Sequence, residues 1–210
     1  MNNTITQLQR LSELCMQSYT INMPTQSYEY SLLNTIAVHD YKALICKDDE
    51  HRQIIICIRG TDNVGGIMND VEMLAGILPS WIKYTDMSYQ SALTYADEMQ
   101  YDIIVTGHSL GGSFGQYCTY KYGIKSVNYN PYGIIQCMHI KELSQRTQNL
   151  CTNYVIADDV VSSSSMQWQL GNTIRWDLPD EEVLRNMSIV QMIEYRHAIT
   201  TIIKLLQGMQ

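Results

Sequence analysis

The chain has 210 residues, 45% hydrophobic and 17% charged, which provides apolar material for one buried core and excludes wholesale disorder. With 14 basic against 21 acidic residues the net charge is −7. No Lys/Arg cluster concentrates positive charge against a phosphate backbone, which argues against nucleic acid as a partner.

The first residues, Met1 to Thr6, lack the charged and apolar regions of a secretory signal. The longest unbroken apolar run, Ile54 to Ile58, falls far short of the roughly 20 residues of a membrane span. A soluble, intracellular protein is expected. Cysteines at 15, 46, 57, 118, 137 and 151 form no C-x-x-C pair. Several lie in apolar runs, so reduced, buried thiols are expected.

In chain order, Ile5, Leu8, Leu11, Leu14 and Cys15 share one stripe and predict a helix from Thr4 to Met16. Tyr41 to Cys46 and Gln53 to Ile58 read as strands of a hairpin or meander around the polar run 47–52. From Asp62 to Gln90 periodicity is poor, and Gly65-Gly66, Gly76 and Pro79 suggest loops with short helical pieces. Ala92 to Met99 reads as a helix, Asp102 to Thr106 as a buried strand, and Leu110 to Tyr122 as a helix after a Gly-rich turn. Ser126 to Tyr129, Asn153 to Ile156 and Thr173 to Trp176 read as further strands. Asp180 and Ser188 are candidate N-caps, Ser188 forming a capping box with Gln191 ahead of an amphipathic stretch from Ile189 to Leu206. Strand–helix alternation after a leading hairpin predicts one α/β domain over 1–210, with a mostly parallel sheet covered on both faces.

Gly107-His108-Ser109-Leu110-Gly111-Gly112 follows the strand Ile103-Ile104-Val105 and precedes a helix. A G-x-S-x-G turn in that setting forces the serine into a strained, exposed position, the glycines letting strand and helix approach. The bare pattern occurs by chance roughly once in twenty sequences of this composition, so the strand–turn–helix context carries the weight. An activated serine needs a base, and the base an orienting carboxylate. In the order Ser, acid, His, the acid falls at Asp158 or Asp159, after the strand Asn153 to Ile156. Downstream of Ser109 stand His139 and His197, and His197 alone follows that acid. The backbone N–H of Leu110 is one oxyanion donor. A second is sought in Ile58-Arg59-Gly60-Thr61-Asp62, which is otherwise a plain turn. Ser162 to Ser165 reads as a solvated loop beside the acid. The other histidines have no partners at metal spacing, so no metal is expected.

Together these residues resemble the class 3 (fungal-type) lipase family of the α/β-hydrolase fold. Ile58-Arg59-Gly60-Thr61 resembles its F-R-G-[ST] oxyanion loop, and Gly107 to Gly112 its G-H-S-L-G-G elbow. Tyr154 to Val161 resembles the segment around its acid, in a register that selects Asp159. Glu194-Tyr195-Arg196-His197 is similar to its terminal histidine segment. The resemblance implies serine ester hydrolysis without a cofactor, with Ser109 as nucleophile, His197 as base, Asp159 orienting it, and Leu110 and Thr61 holding the oxyanion. It implies a lipid or small ester substrate, transient contact with a lipid surface, and a lid in the apolar stretch that includes Ile67, Leu74, Leu78 and Trp81. That stretch reads equally as core. The competing function is an inactive hydrolase-fold module that binds a lipid or a protein. Acyl transfer or peptide hydrolysis would use the same residues.

Overall fold

A computed structural model describes residues 2–20, 26–27, 30–61, 67–141, 144–164, 168–178 and 187–209, with the backbone alone for 2–4, 26–27 and 67–79. Helix α1 (Asn2–Ser18) runs slightly beyond its predicted limits at both ends and buries Leu8, Leu11, Leu14 and Cys15. Strands β1 (Gln26–Ser27), β2 (Tyr30–Val38), β3 (Tyr41–Asp48) and β4 (Gln53–Ile58) form an antiparallel meander. Strand β2 has no clean alternation in the sequence because its pairing with β3 shifts register between Leu32 and Asn34. Across that bulge, Tyr30 and Leu32 pack on one side of the sheet, and Leu33 and Ile36 on the other.

From β4 onward the sheet is parallel: β5 (Asp102–His108), β6 (Lys125–Tyr129), β7 (Cys151–Ile156) and β8 (Asn172–Trp176) each pair with the preceding strand. All eight strands lie in sequence order. Ile54 to Ile58 are completely buried, as expected of a central strand covered on both faces.

Right-handed crossovers between successive parallel strands, all taken in one direction, place their helices on one face. On that face lie α2 (Ile67–Met99), α3 (Leu110–Tyr122) and α5 (Val160–Ser164), represented in the core by Trp81, Phe114 and Val161. The short α4 (Gln145–Leu150) leads into β7. The opposite face is covered by α1 and by α7 (Ile199–Gly208), whose Ile202, Ile203 and Leu206 join Leu8, Leu11 and Leu14 in a second cluster.

Two expectations need correction. Loops were expected over Asp62 to Gln90, but residues 67–99 form one helix that passes through Gly76 and Pro79. Its buried stripe is Trp81, Thr85, Ser88, Ala92 and Ala96, at spacings of three and four. Two of these are hydroxyl residues, which masks the apolar period. Ser88 is satisfied by the Tyr41 hydroxyl at 2.8 Å and by the carbonyl of Tyr84. From Trp81 on, one face of this segment packs in the core; residues 62–66 and the side chains of 67–79 lie outside the described part. The second correction concerns Ile189 to Leu206, which is not continuous. It is α6 (Ile189–His197) and α7, separated at Ala198 by an extended ψ of 135°. Ser188 and Gln191 form the predicted capping box, while Asp180 lies outside the described residues.

No helix among the described residues is long and apolar enough to cross a membrane. All six cysteines carry free thiols, and all but Cys137 are buried.

Candidate active site

The parallel strands deliver their carboxyl ends to one edge, where ligands gather in open α/β sheets. Thr61 follows β4, Ser109 follows β5, and Asp159 follows β7. Ser109 is the N-cap of α3 with φ 57° and ψ −128°, a region that costs a non-glycine residue about 1–3 kcal/mol. Its N–H bonds the Tyr129 carbonyl of the next strand at 3.0 Å, and its carbonyl accepts from Ser113 N–H at 3.2 Å. Leu110 begins α3, so its N–H has no acceptor within the helix and stays at the mouth of the turn.

The elbow needs its glycines because backbones touch there. A Cβ on Gly111 would lie 2.0 Å from the carbonyl oxygen of Ile58, and one on Gly107 would lie 2.4 Å from the carbonyl carbon of Gly111. A Cβ on Gly60 would lie 3.0 Å from Ser109 Cβ, so the loop leading to Thr61 is seated against the serine.

The acid and the histidine meet in a fully buried pair. His197 Nδ1 lies 3.0 Å from Asp159 Oδ1, and both side chains are essentially inaccessible. Oδ2 of the same carboxylate accepts from the Ser162 backbone N–H at 2.9 Å and from its hydroxyl at 2.7 Å. Burial pushes the Asp159 pKa upward. The His197 charge and the hydrogen bonds from His197 and Ser162 outweigh it and hold the carboxyl below its ordinary value. Asp158 is instead exposed, 3.7 Å from Arg196, and His139 stays outside the cluster. The other imidazole nitrogen, His197 Nε2, is buried and has no hydrogen-bond partner among the described residues. Ser162 does not belong to a solvated loop: it is completely buried, while Ser163 and Ser164 turn outward.

Three further residues join this cluster without having been singled out beforehand. His108 Nε2 lies 2.7 Å from the carbonyl oxygen of His197, and Asn130 Nδ2 reaches the same oxygen at 3.1 Å. The Tyr19 hydroxyl lies 2.9 Å from His108 Nδ1 and accepts from the Gly60 N–H at 3.1 Å. Burial, with the nearby His197 charge, holds the His108 pKa down to about 3, so its ring is neutral. A carbonyl only accepts, hence Nε2 carries the proton and Nδ1 accepts from Tyr19. In sequence, His108 fills the variable position of G-x-S-x-G and Asn130 is a turn residue before Pro131; neither pattern signals a partner across the sheet edge.

A neutral buried His108 makes stability depend on pH. Unfolded, the ring takes a proton below about pH 6.5; folded, it resists down to about 3. Its contribution is therefore complete above pH 6.5 and is lost progressively on acidification between those values. Urea unfolding of the wild type should lose about 2 kcal/mol more between pH 7 and pH 5 than unfolding of His108→Gln. Parallel pH dependences in the two proteins would contradict this.

The sheet, its two helical layers and the strand–elbow–helix turn define an α/β-hydrolase fold. Among solved structures, the chain is similar to a triacylglycerol lipase from Penicillium expansum, with a TM-score of 0.61 and 15% identity over 83% of this chain and 79% of that one. It is also similar to the Lip2 lipase from Yarrowia lipolytica, with a TM-score of 0.61 and 14% identity over 85% and 80% of the two chains. For another fungal lipase the TM-score is 0.69, at 13% identity over 94% and 95%. At these identities the likeness is one of fold. No family model matches the sequence, and no curated protein is similar to it at a significant level.

Proposed function

We propose that the chain is a serine carboxylic-ester hydrolase of lipase type, acting as one domain on a lipid or small ester without a cofactor. The observation that carries this reading is the buried His197–Asp159 pair with Nε2 unengaged, at the sheet edge where Ser109 sits on a strained strand-to-helix turn. In this mechanism Ser109 Oγ attacks the ester carbonyl carbon while His197 Nε2 takes its proton. Asp159 fixes the Nδ1–H tautomer and offsets the charge of the imidazolium. The carbonyl oxygen becomes an oxyanion facing the Leu110 N–H and Thr61, donors typically worth about 3–4 kcal/mol each in the transition state. His197 then protonates the leaving alkoxide, leaving an acyl group on Ser109. Water, deprotonated by the same nitrogen, attacks that acyl group, and the nitrogen returns the proton to Ser109 Oγ as the carboxylic acid leaves. An inactive binding module has no use for a nucleophile, acid and base all retained at one sheet edge.

The test is hydrolysis of p-nitrophenyl esters from acetate to palmitate, together with labelling by a fluorophosphonate and mass mapping of the adduct. Turnover and an adduct on Ser109 are expected. A folded protein that neither turns over any ester nor takes the label would overturn the assignment.

A further inference from the structure

Continuous helix across residues 189–208 would bury the carbonyls of Arg196 and His197 in intrahelical bonds. Instead the ladder stops when the Ala198 N–H bonds the Glu194 carbonyl at 2.9 Å, and the Thr201 N–H turns to the Ala198 carbonyl at 3.1 Å. Of the three intervening carbonyls, that of Tyr195 accepts from the Thr201 hydroxyl, and those of Arg196 and His197 need donors from elsewhere. Asn130 Nδ2 supplies Arg196 at 3.0 Å and His197 at 3.1 Å, and His108 Nε2–H supplies His197 at 2.7 Å.

Asn130 is itself fixed through its N–H and its side-chain oxygen. Its N–H bonds the Tyr154 carbonyl at 2.8 Å, and its Oδ1 accepts from the Ile156 N–H at 2.9 Å. Its φ of 43° lies in the left-handed region, which asparagine tolerates better than most residues. The amide therefore bridges the ends of β6 and β7 and aims its donors at α6. His108 is equally fixed, by β5 on one side and by Tyr19 on the other. The backbone of His197 is thus tied directly to the strands that carry Ser109 and Asp159.

We propose that Asn130 and His108 are positioning residues for His197, holding its peptide carbonyl so that α6 ends where the imidazole meets Asp159 at the sheet edge that carries Ser109. The same chain of bonds passes from His108 through the Tyr19 hydroxyl to the Gly60 N–H, and so registers the Thr61 loop against the base. This rests on the ester-hydrolase reading for its kinetic consequence but not for its structural one.

Asn130→Asp keeps the acceptor for Ile156 and the tolerance of positive φ, and turns the two donated bonds into an oxygen set against the two carbonyls. His108→Leu removes the other donor, and His108→Gln restores an N–H near the Nε2 position. In Asn130→Asp and His108→Leu, kcat on a p-nitrophenyl ester should fall about a hundredfold with KM little changed. The downfield proton resonance of His197 Nδ1–H should shift or broaden, and His108→Gln should recover both signals in large part. Folded variants that keep the wild-type kcat and the wild-type resonance would overturn the proposal. So would a loss of rate that merely tracks the unfolded fraction. If the wild type hydrolyses no ester, the enzymatic reading fails, and the His197 resonance alone decides whether the carbonyl clamp positions the ring.

Discussion

Asp159→Asn is expected to lower kcat by about 10⁴-fold while leaving the fold in place. The size of the effect follows from how the carboxylate is held. The Ser162 N–H can only donate, and it donates to Oδ2, so an asparagine must turn its carbonyl oxygen toward Ser162. That leaves the amide NH₂ facing His197 Nδ1, which must then accept. The imidazole proton moves to Nε2, the nitrogen needed as base, and its lone pair is lost to catalysis. The measurements are kcat on a p-nitrophenyl ester and the nitrogen-15 shifts of His197, which should report the Nε2–H tautomer in the variant. A loss below about tenfold, with Nδ1–H retained, would contradict the assignment of Asp159.

Gly111→Ala should have the largest effect on stability. Alanine favours a helix by about 1 kcal/mol over glycine. Here its Cβ would lie 2.0 Å from the Ile58 oxygen, 2.7 Å from the Ile58 carbonyl carbon and 2.9 Å from that of Arg59. These are backbone atoms of the central strand and its exit, so no side-chain rotation relieves the clash; α3 must lift from the sheet. A loss of more than about 3 kcal/mol is expected by urea denaturation, or failure to fold. Gly208→Ala, where nothing lies within 4 Å of the new Cβ, is the control and should be neutral or slightly stabilising. Equal midpoints for the two variants would show that the close approach of α3 and β4 is not a structural requirement.

These two residues mark how much of the molecule is legible in its sequence. The elbow, β4 and α3 are clear because local chemistry and tertiary structure agree there: a wholly apolar strand is central, and glycines stand where backbones touch. Asp159 and His197 follow from chain order and from resemblance. Helix α2 is obscured because its inward stripe includes Thr85 and Ser88, and because Gly76 and Pro79 read as stops. Strand β2 is obscured by a bulge that interrupts its alternation. The break at Ala198 is invisible locally, since neither glycine nor proline stands near it. Its cause lies in Asn130 and His108, distant residues that outcompete the helix for two carbonyls. Ser162 looks like one of a run of polar loop residues until the carboxylate it serves is seen.

Strand order that follows chain order has a consequence for synthesis. Each strand finds its partner in the strand made just before it, so the sheet can lengthen from one side as the polypeptide emerges. The serine turn and the strand leading to the acid are then assembled while the segment bearing His197 is still to come. Until α7 docks on α1, one face of the central strands also remains partly uncovered. The nascent protein is therefore expected to be sticky before Asp159 and His197 have paired, needing shelter for its apolar face while the proposed catalytic site is still incomplete.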